Sequence, residues 1–577
     1  MYLYVYNYVF ALGILFAFFD AWNIGANDVA NSFATSVSSR SLTLRQAVAI
    51  ATVMEMAGAI GAGARVAETI RTKIINPDLF KEDPAVLMLG MVCALVGSST
   101  YVFIATKVGL PVSTTHSIMG GVIGMGVATV GASRVSWGWN GVSTVFVAWV
   151  TAPGIAGCFG AIIFLITKYG VMRRRNPVKW SFVSVPIYFV ITSALLAMLI
   201  IWKGISGIID KMTDAEVIGS ILGVGFGVGF LVVIFFLPYL WVKVVRGDWR
   251  LKYYHIPLGP LLLLWRRHEP IPPQPEGLVT IQDYYRGHLT REELEAAAIA
   301  ARDDRNAAAD DVEAAAHSPT GDAQAKPKFP NKTTTATPTP TPICGPRPDG
   351  PWHSLPVIWW VANKAFWNGI DKDVVSAQKS HSVLSGDVEK MHARAAHYDN
   401  KAEYMYSFLQ VMTASAASFT HGANDVSNAV GPFATIYYVW SHGAIGEKSS
   451  PVPVWILAFG GGSIALGLLM YGYNIMRNLG NRITLHSPSR GFSMELGAAV
   501  TVIMATRLKI PISTTQCIAG STVAVGLCNG DWRSVNWRMV LWIYMGWIIT
   551  LPVTALISGI LMGLIINAPQ FGHSVHV

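Results

Sequence analysis

Two short polar motifs recur in the same order near the two ends of the chain, each inside segments that are otherwise apolar. GANDVAN occupies Gly25 to Asn31 and GANDVSN occupies Gly422 to Asn428; PVSTTHS follows the first at Pro111 to Ser117, and PISTTQC follows the second at Pro511 to Cys517. Asp28 lies 85 residues before Ser113, and Asp425 lies 88 before Ser513. Agreement in both order and interval marks an internal duplication. Any fold for this chain is therefore built from two related halves, and it keeps amides, carboxylates and hydroxyls in apolar surroundings. Within a membrane that placement is costly and usually signals function.

At 577 residues, 52% apolar and only 13% charged, the chain is too long and too apolar for one soluble domain. It reads as an all-α polytopic membrane protein. Stretches of about 20 apolar residues, enough to cross a bilayer as helices, fall near 8–30, 46–64, 85–105, 111–130, 143–167, 182–202 and 217–241. Five more fall near 405–432, 452–475, 493–507, 511–529 and 540–566. The first of these has no basic segment before it and no cleavage signal, which makes it an uncleaved span. The five cysteines have neither metal-ligand nor disulfide spacing, and no cofactor is expected.

The net charge of +9 does not imply a nucleic-acid partner, because the basic residues cluster beside spans: Arg173, Arg174 and Arg175 with Lys168 and Lys179, then Lys243, Arg246, Arg250 and Lys252. Such clusters face the cytoplasm. Both termini then lie outside, and seven crossings separate the two GAND segments. An odd number inverts the second copy, the architecture of secondary transporters whose site lies at the midplane where repeats meet. The expected divisions are a first membrane half at 1–245, a cytoplasmic loop at 246–404 and a second membrane half at 405–577. Within the loop, 303–350 is too polar to bury a core. Trp352, Trp359, Trp360, Phe366 and Trp367 suit an amphipathic interfacial stretch, and 376–404 reads as a polar helix.

Chemistry divides the repeated side chains into two sets. Asn27, Asp28 and Asn31, with Asn424, Asp425 and Asn428, offer oxygen ligands suited to a hard cation such as sodium. The plainer reading makes them interhelical hydrogen-bonding groups, with Gly25 and Ala26 allowing close packing. The Ser-Thr-Thr runs suit the opposite charge. Pro111 and Pro511 can open helices that start inside the membrane, broken or re-entrant, whose free N–H groups favour an anion. Ser113, Thr114 and Thr115, with Ser513, Thr514 and Thr515, then place six hydroxyls around a tetrahedral oxyanion such as phosphate. Ordinary N-capping accounts for one hydroxyl per helix. Neither motif resembles the lysine-bearing glycine loop of nucleotide enzymes, and the chain is not expected to be an enzyme.

Other intramembrane ionisable groups are less symmetric. Glu55 and Glu495 suit coupling-ion, proton or gating sites, or buried hydrogen bonds to Ser and Thr. Asp20 aligns with Ala417, Asn23 with Thr420 and His116 with Gln516. For His116, packing with one donated hydrogen bond is the simpler reading.

The segments GANDVANSFATSVSSRSLT, EMAGAIGAGARVAETIR, PVSTTHSIMGG, GANDVSNAVGPFATIY, GFSMELGAAVTV and PISTTQCIAGSTVAVG resemble the inorganic phosphate transporter (PiT) family, in particular its fungal sodium–phosphate symporters. The resemblance covers roughly 1–245 and 405–566. It implies sodium-coupled symport of inorganic phosphate across the plasma membrane by alternating access. Asn27, Asp28, Asn424 and Asp425 would hold ions and phosphate, and Ser113 to Thr115 and Ser513 to Thr515 would hold phosphate. Glu55 and Glu495 fall where similar transporters have important glutamates. Gln516 departs from the histidine often found there. Dihydrogen phosphate has hydroxyls that can donate to a carboxylate and sulfate has none, yet proton coupling and other oxyanions such as sulfate stay open, as does a homodimer.

Overall fold

Twelve helices of fourteen residues or more carry the chain in a computed structural model that describes residues 4–63, 74–139, 141–203, 212–300, 343–367, 369–378, 384–446, 452–507 and 512–568. They are α1 (Asn7–Ser38), α2 (Leu44–Ala62), α3 (Pro84–Val108), α4 (Thr114–Val130), α5 (Val142–Met172), α6 (Pro177–Lys203) and α7 (Asp214–Val245). The second half supplies α8 (Asn400–His442), α9 (Val454–Tyr471), α10 (Pro488–Arg507), α11 (Thr514–Leu527) and α12 (Trp537–Asn567). There is no strand among the described residues.

Each expected span falls on one of these helices. Among the described residues, however, seven are long and apolar enough to cross a membrane: α1, α3, α5, α6, α7, α9 and α12. Three of the other five depart for physical reasons. With 17 and 14 residues, α4 and α11 are about 25 and 21 Å long at a rise of 1.5 Å per residue, short of a hydrocarbon core of about 30 Å. The 43 residues of α8 are diluted by Glu403, Gln410, His421 and Asp425, all buried.

Packing is reciprocal between the halves. α1 lies on α9, while its counterpart α8 lies on α2; α4 lies on α12 and α11 on α5; α3 pairs with α4 and α10 with α11; and α1 meets α8 directly. The GAND glycines make the first of these exchanges fit. A Cβ on Gly25 would sit 1.8 Å from the Ile464 carbonyl oxygen of α9, and one on Gly422 would sit 2.4 Å from the Glu55 carbonyl oxygen of α2. Between membrane helices, where no hydrophobic drive operates, such small residues let backbones meet. The long helices α6 and α7 stand outside this exchange; they pack on one another, and α6 also lies against α8.

The break expected before the first Ser-Thr-Thr is present. α3 ends at Gly109, whose φ of 79° favours glycine and where a Cβ would meet the Asn478 amide at 1.8 Å. The chain is not helical from 110 to 113, and α4 begins at Thr114. Pro111 therefore precedes the cap instead of standing in the first turn. Pro511 lies outside the described residues.

The central segment differs from expectation. In place of one polar helix over 376–404, the described residues form short helices at Val374–Gln378 and Val388–His392, and α8 starts at Asn400, where Asp399 accepts from the Lys401 and Ala402 amides. The tryptophan-rich stretch does form a helix, Leu355–Trp367, with Leu355 and Trp359 exposed and Val357 buried. Most of the polar tract at 303–350 lies outside the described residues. Past α7, Asp248 accepts hydrogen bonds from Arg250 Nε (3.0 Å) and Arg266 Nη1 (2.8 Å), fastening the chain where it leaves the helices.

Candidate functional site

The two GAND aspartates and the two Ser-Thr-Thr runs come together in one buried cluster. Asp28 accepts from Thr114 at 2.6 Å and from Thr515 at 2.8 Å. Asp425 accepts from Thr514 at 3.0 Å and from Thr115 at 3.2 Å. Each carboxylate thus takes one hydroxyl from its own repeat and one from the other. The first threonine of each run serves the near aspartate and the second serves the far one.

Local structure dictates this division. Ser113 and Ser513 are N-caps, their hydroxyl oxygens accepting from the amides of His116 (3.3 Å) and Gln516 (3.4 Å). With the serine facing the helix backbone, the next two residues form the opening turn and project Thr114 and Thr115, or Thr514 and Thr515, toward the carboxylates. The helix N-termini bring their partial positive charge to the same place.

The asparagines take different roles. Asn428 Nδ2 lies 3.1 Å from Thr114 Oγ1, 3.2 Å from Thr115 Oγ1 and 3.2 Å from Asp425 Oδ1, so it belongs to the cluster. Asn27 is engaged at the helix break: it donates to Thr106 (2.9 Å) and the Leu110 carbonyl (3.1 Å) and accepts from the Val112 amide (2.9 Å). Asn31 is buried with its Nδ2 unpartnered. Asn424 is half-buried.

One member was missed by sequence reasoning. His421 Nδ1 lies 2.9 Å from Glu55 Oε2 and its Nε2 lies 3.0 Å from Asp425 Oδ2. The Glu55 contact has hydrogen-bond geometry, whereas the Asp425 contact is one of proximity and leaves Nε2 without a hydrogen-bond partner. Ligand atoms of Asp28, His421 and Asp425 all fall within 4.8 Å of one another. Glu55 also accepts from Ser418 at 2.8 Å, so it joins the cluster through His421. The available signal was an i,i+4 His–Asp pair on one helix face, in the copy where the first repeat has Ile24.

Glu495 stands apart, wholly engaged in hydrogen bonds. It accepts from Thr35 and Ser36 of α1 at 2.6 Å each, from Thr413 at 2.6 Å and from Gln410 at 3.2 Å. His116 is packed but accepts where a donated bond was expected: its Nδ1 accepts from Trp149 Nε1 at 3.3 Å, and Nε2 has no partner.

Carboxylate and hydroxyl oxygens of the cluster suit a hard cation, and four threonine hydroxyls beside two helix N-termini suit an oxyanion. The profile of PHO4, the phosphate transporter family, matches residues 24–558. The chain belongs to the phosphate transporter family. This is a family of permeases, not enzymes. A phosphate-repressible phosphate permease of Neurospora crassa, pho-4, is 57% identical over 592 residues, covering 100% of both chains. Sodium-dependent phosphate transporter 1 of Mus musculus is 26% identical over 96% of this chain and 94% of its own. A solved structure described as the sodium-dependent phosphate transporter, 24% identical, superposes with a TM-score of 0.64 over 97% of this chain and 100% of its own. That likeness bears on the fold alone.

Proposed function

We propose that this family member carries inorganic phosphate together with sodium ions across the plasma membrane by alternating access. The observation that supports it most is the crossed bonding of Asp28 and Asp425 by threonines of both repeats. In that arrangement the hydroxyls are held by the carboxylates. Sodium ions that take up carboxylate and asparagine oxygens release the hydroxyls toward phosphate, and phosphate that engages the hydroxyls leaves the carboxylates to sodium. Each ligand then favours the other, which is coupling. Phosphate hydroxyls can also donate to a carboxylate.

In this reading Thr114, Thr115, Thr514 and Thr515 face phosphate, and Ser113 and Ser513 hold the helix starts. Asn27, Asn31, Asn424 and Asn428 surround the cation positions with Asp28 and Asp425. Glu55 acts through His421, and Glu495 braces α1 against α8 and α10. Reciprocal packing of α1–α5 with α8–α12 supports inverted repeats, with the central segment of 246–404 in the cytoplasm, both ends outside and the bilayer as the surrounding partner.

A second reading, proton coupling, is favoured by one observation: His421 bridges Glu55 and Asp425. Purified protein in proteoliposomes separates the two. An inward sodium gradient at equal pH is expected to drive accumulation of radiolabelled phosphate. Accumulation driven by a proton gradient without sodium, and not by sodium, overturns the sodium reading.

A further inference from the structure

Glu495 is not alone among buried carboxylates in taking no part in this cluster. Asp20 precedes Asp28 on α1 by eight residues, about 12 Å along a helix. It is 1% exposed, and neither of its oxygens has a hydrogen-bond partner. Asn23, less than one turn further on, shares its helix face. The Asn23 amide nitrogen donates to the Ser99 carbonyl of α3 at 3.0 Å, which fixes the amide's orientation and leaves Oδ1 unpartnered. Ser98 of α3 faces Asp20 closely enough for its hydroxyl to interact with the carboxylate, and that hydroxyl has no other partner. Asn23 and Ser98 are both fully buried.

Asp20, Asn23 and Ser98 thus bring four oxygens to the α1–α3 seam with no partners beyond one another. Leaving a buried polar group unsatisfied costs about 1–3 kcal/mol, more for a charged one, and native structures avoid it. A proton on Asp20 could meet the Asn23 oxygen while Ser98 donates to Asp20, and this neutral alternative differs from a cation in binding no sodium. A cation serves all four oxygens at once. The single carboxylate balances one positive charge, and four oxygens fall short of the six to eight that calcium takes. Asp28 also lies close enough to repel the Asp20 carboxylate, a repulsion that a cation between α1 and α3 offsets.

We infer that Asp20, Asn23 and Ser98 form a second, separate site for a monovalent alkali cation, sodium in the reading above, on which this inference rests. The site belongs to the first repeat alone, because Ala417 and Thr420 stand at the corresponding positions of the second. Its cation travels in addition to those at the shared cluster, so each phosphate moves with one more positive charge.

The test is equilibrium binding of radioactive sodium to the purified full-length chain, with Asp20→Asn and Asn23→Ala compared to the natural sequence. Retained phosphate binding at saturating sodium reports that a variant is folded. Each variant is expected to bind one fewer sodium ion per chain, with a lower Hill coefficient for sodium-driven uptake. If Asp20→Asn fails to fold, Asn23→Ala carries the test. An unchanged sodium count, with or without an altered pH dependence of uptake, overturns the Asp20 site while leaving sodium coupling intact. A natural chain that binds no sodium at all overturns both.

Discussion

Asp28 and Asp425 each hold two threonine hydroxyls from different repeats, so a change at either side chain reaches both halves of the site. Asp28→Asn and Asp425→Asn keep the shape and remove the charge. Hydrogen bonds to charged groups contribute about 1.5–3 kcal/mol each, and about 1.4 kcal/mol is tenfold, so each variant is expected to lose at least about tenfold in sodium-driven phosphate uptake at unchanged membrane abundance. Normal uptake in both would remove this site from the account. The duplicated Asp and Ser-Thr-Thr residues were legible because they occur twice. Their crossing was not, since Thr515 reaches Asp28 over 487 residues and Thr115 reaches Asp425 over 310, separations that leave no periodic trace. His421 escaped for the converse reason: it occurs once, and attention to symmetry passes over it.

Helices carry the next level of argument. The GAND glycines are packing residues as well as motif markers, and Gly25→Ala and Gly422→Ala would drive a Cβ into backbone carbonyls of α9 and α2. Overpacking typically costs about 1–3 kcal/mol, so both variants should show lowered thermal stability in detergent; unaltered melting would contradict the close approach. The repeats also differ here. GANDV is a π-helical segment at Gly25–Val29 in α1, whereas the second copy lies within the continuous α8. Such single-turn π segments frequently occur at functional sites, and nothing in two near-identical heptapeptides announces the difference. Hydropathy located every long helix, but counting apolar residues does not reveal that α4 and α11 begin at caps within the bundle. At the far end of α7, burial works against ionisation of Asp248, but hydrogen bonds from Arg250 and Arg266 overcome it and bring the carboxyl from 3.8 down to about 2. With the folded value below the unfolded one, the stabilisation is present above about pH 4 and is lost as pH falls through about 2. Asp248→Asn should therefore melt lower than the natural chain at pH 7, with the gap closing at the acid end; an equal gap at every pH would refute the ion pairs.

Across the whole molecule, the halves exchange partners: α1 rests on α9 and α8 on α2. A chain severed within 301–342 and co-expressed as two pieces is expected to reassemble and co-purify, and neither piece alone should yield a stable particle. Independent stability of both would contradict the reciprocal packing. The same exchange gives the site its two sources of hydroxyls, so ligand binding and the relation of the repeats are one problem. The most direct test of that claim is phosphate binding to the purified protein, titrated across a range of sodium concentrations, with sodium binding titrated across phosphate. Shared ligands predict that sodium raises phosphate affinity and that phosphate raises sodium affinity by the same factor. Phosphate affinity that does not change with sodium would contradict the account.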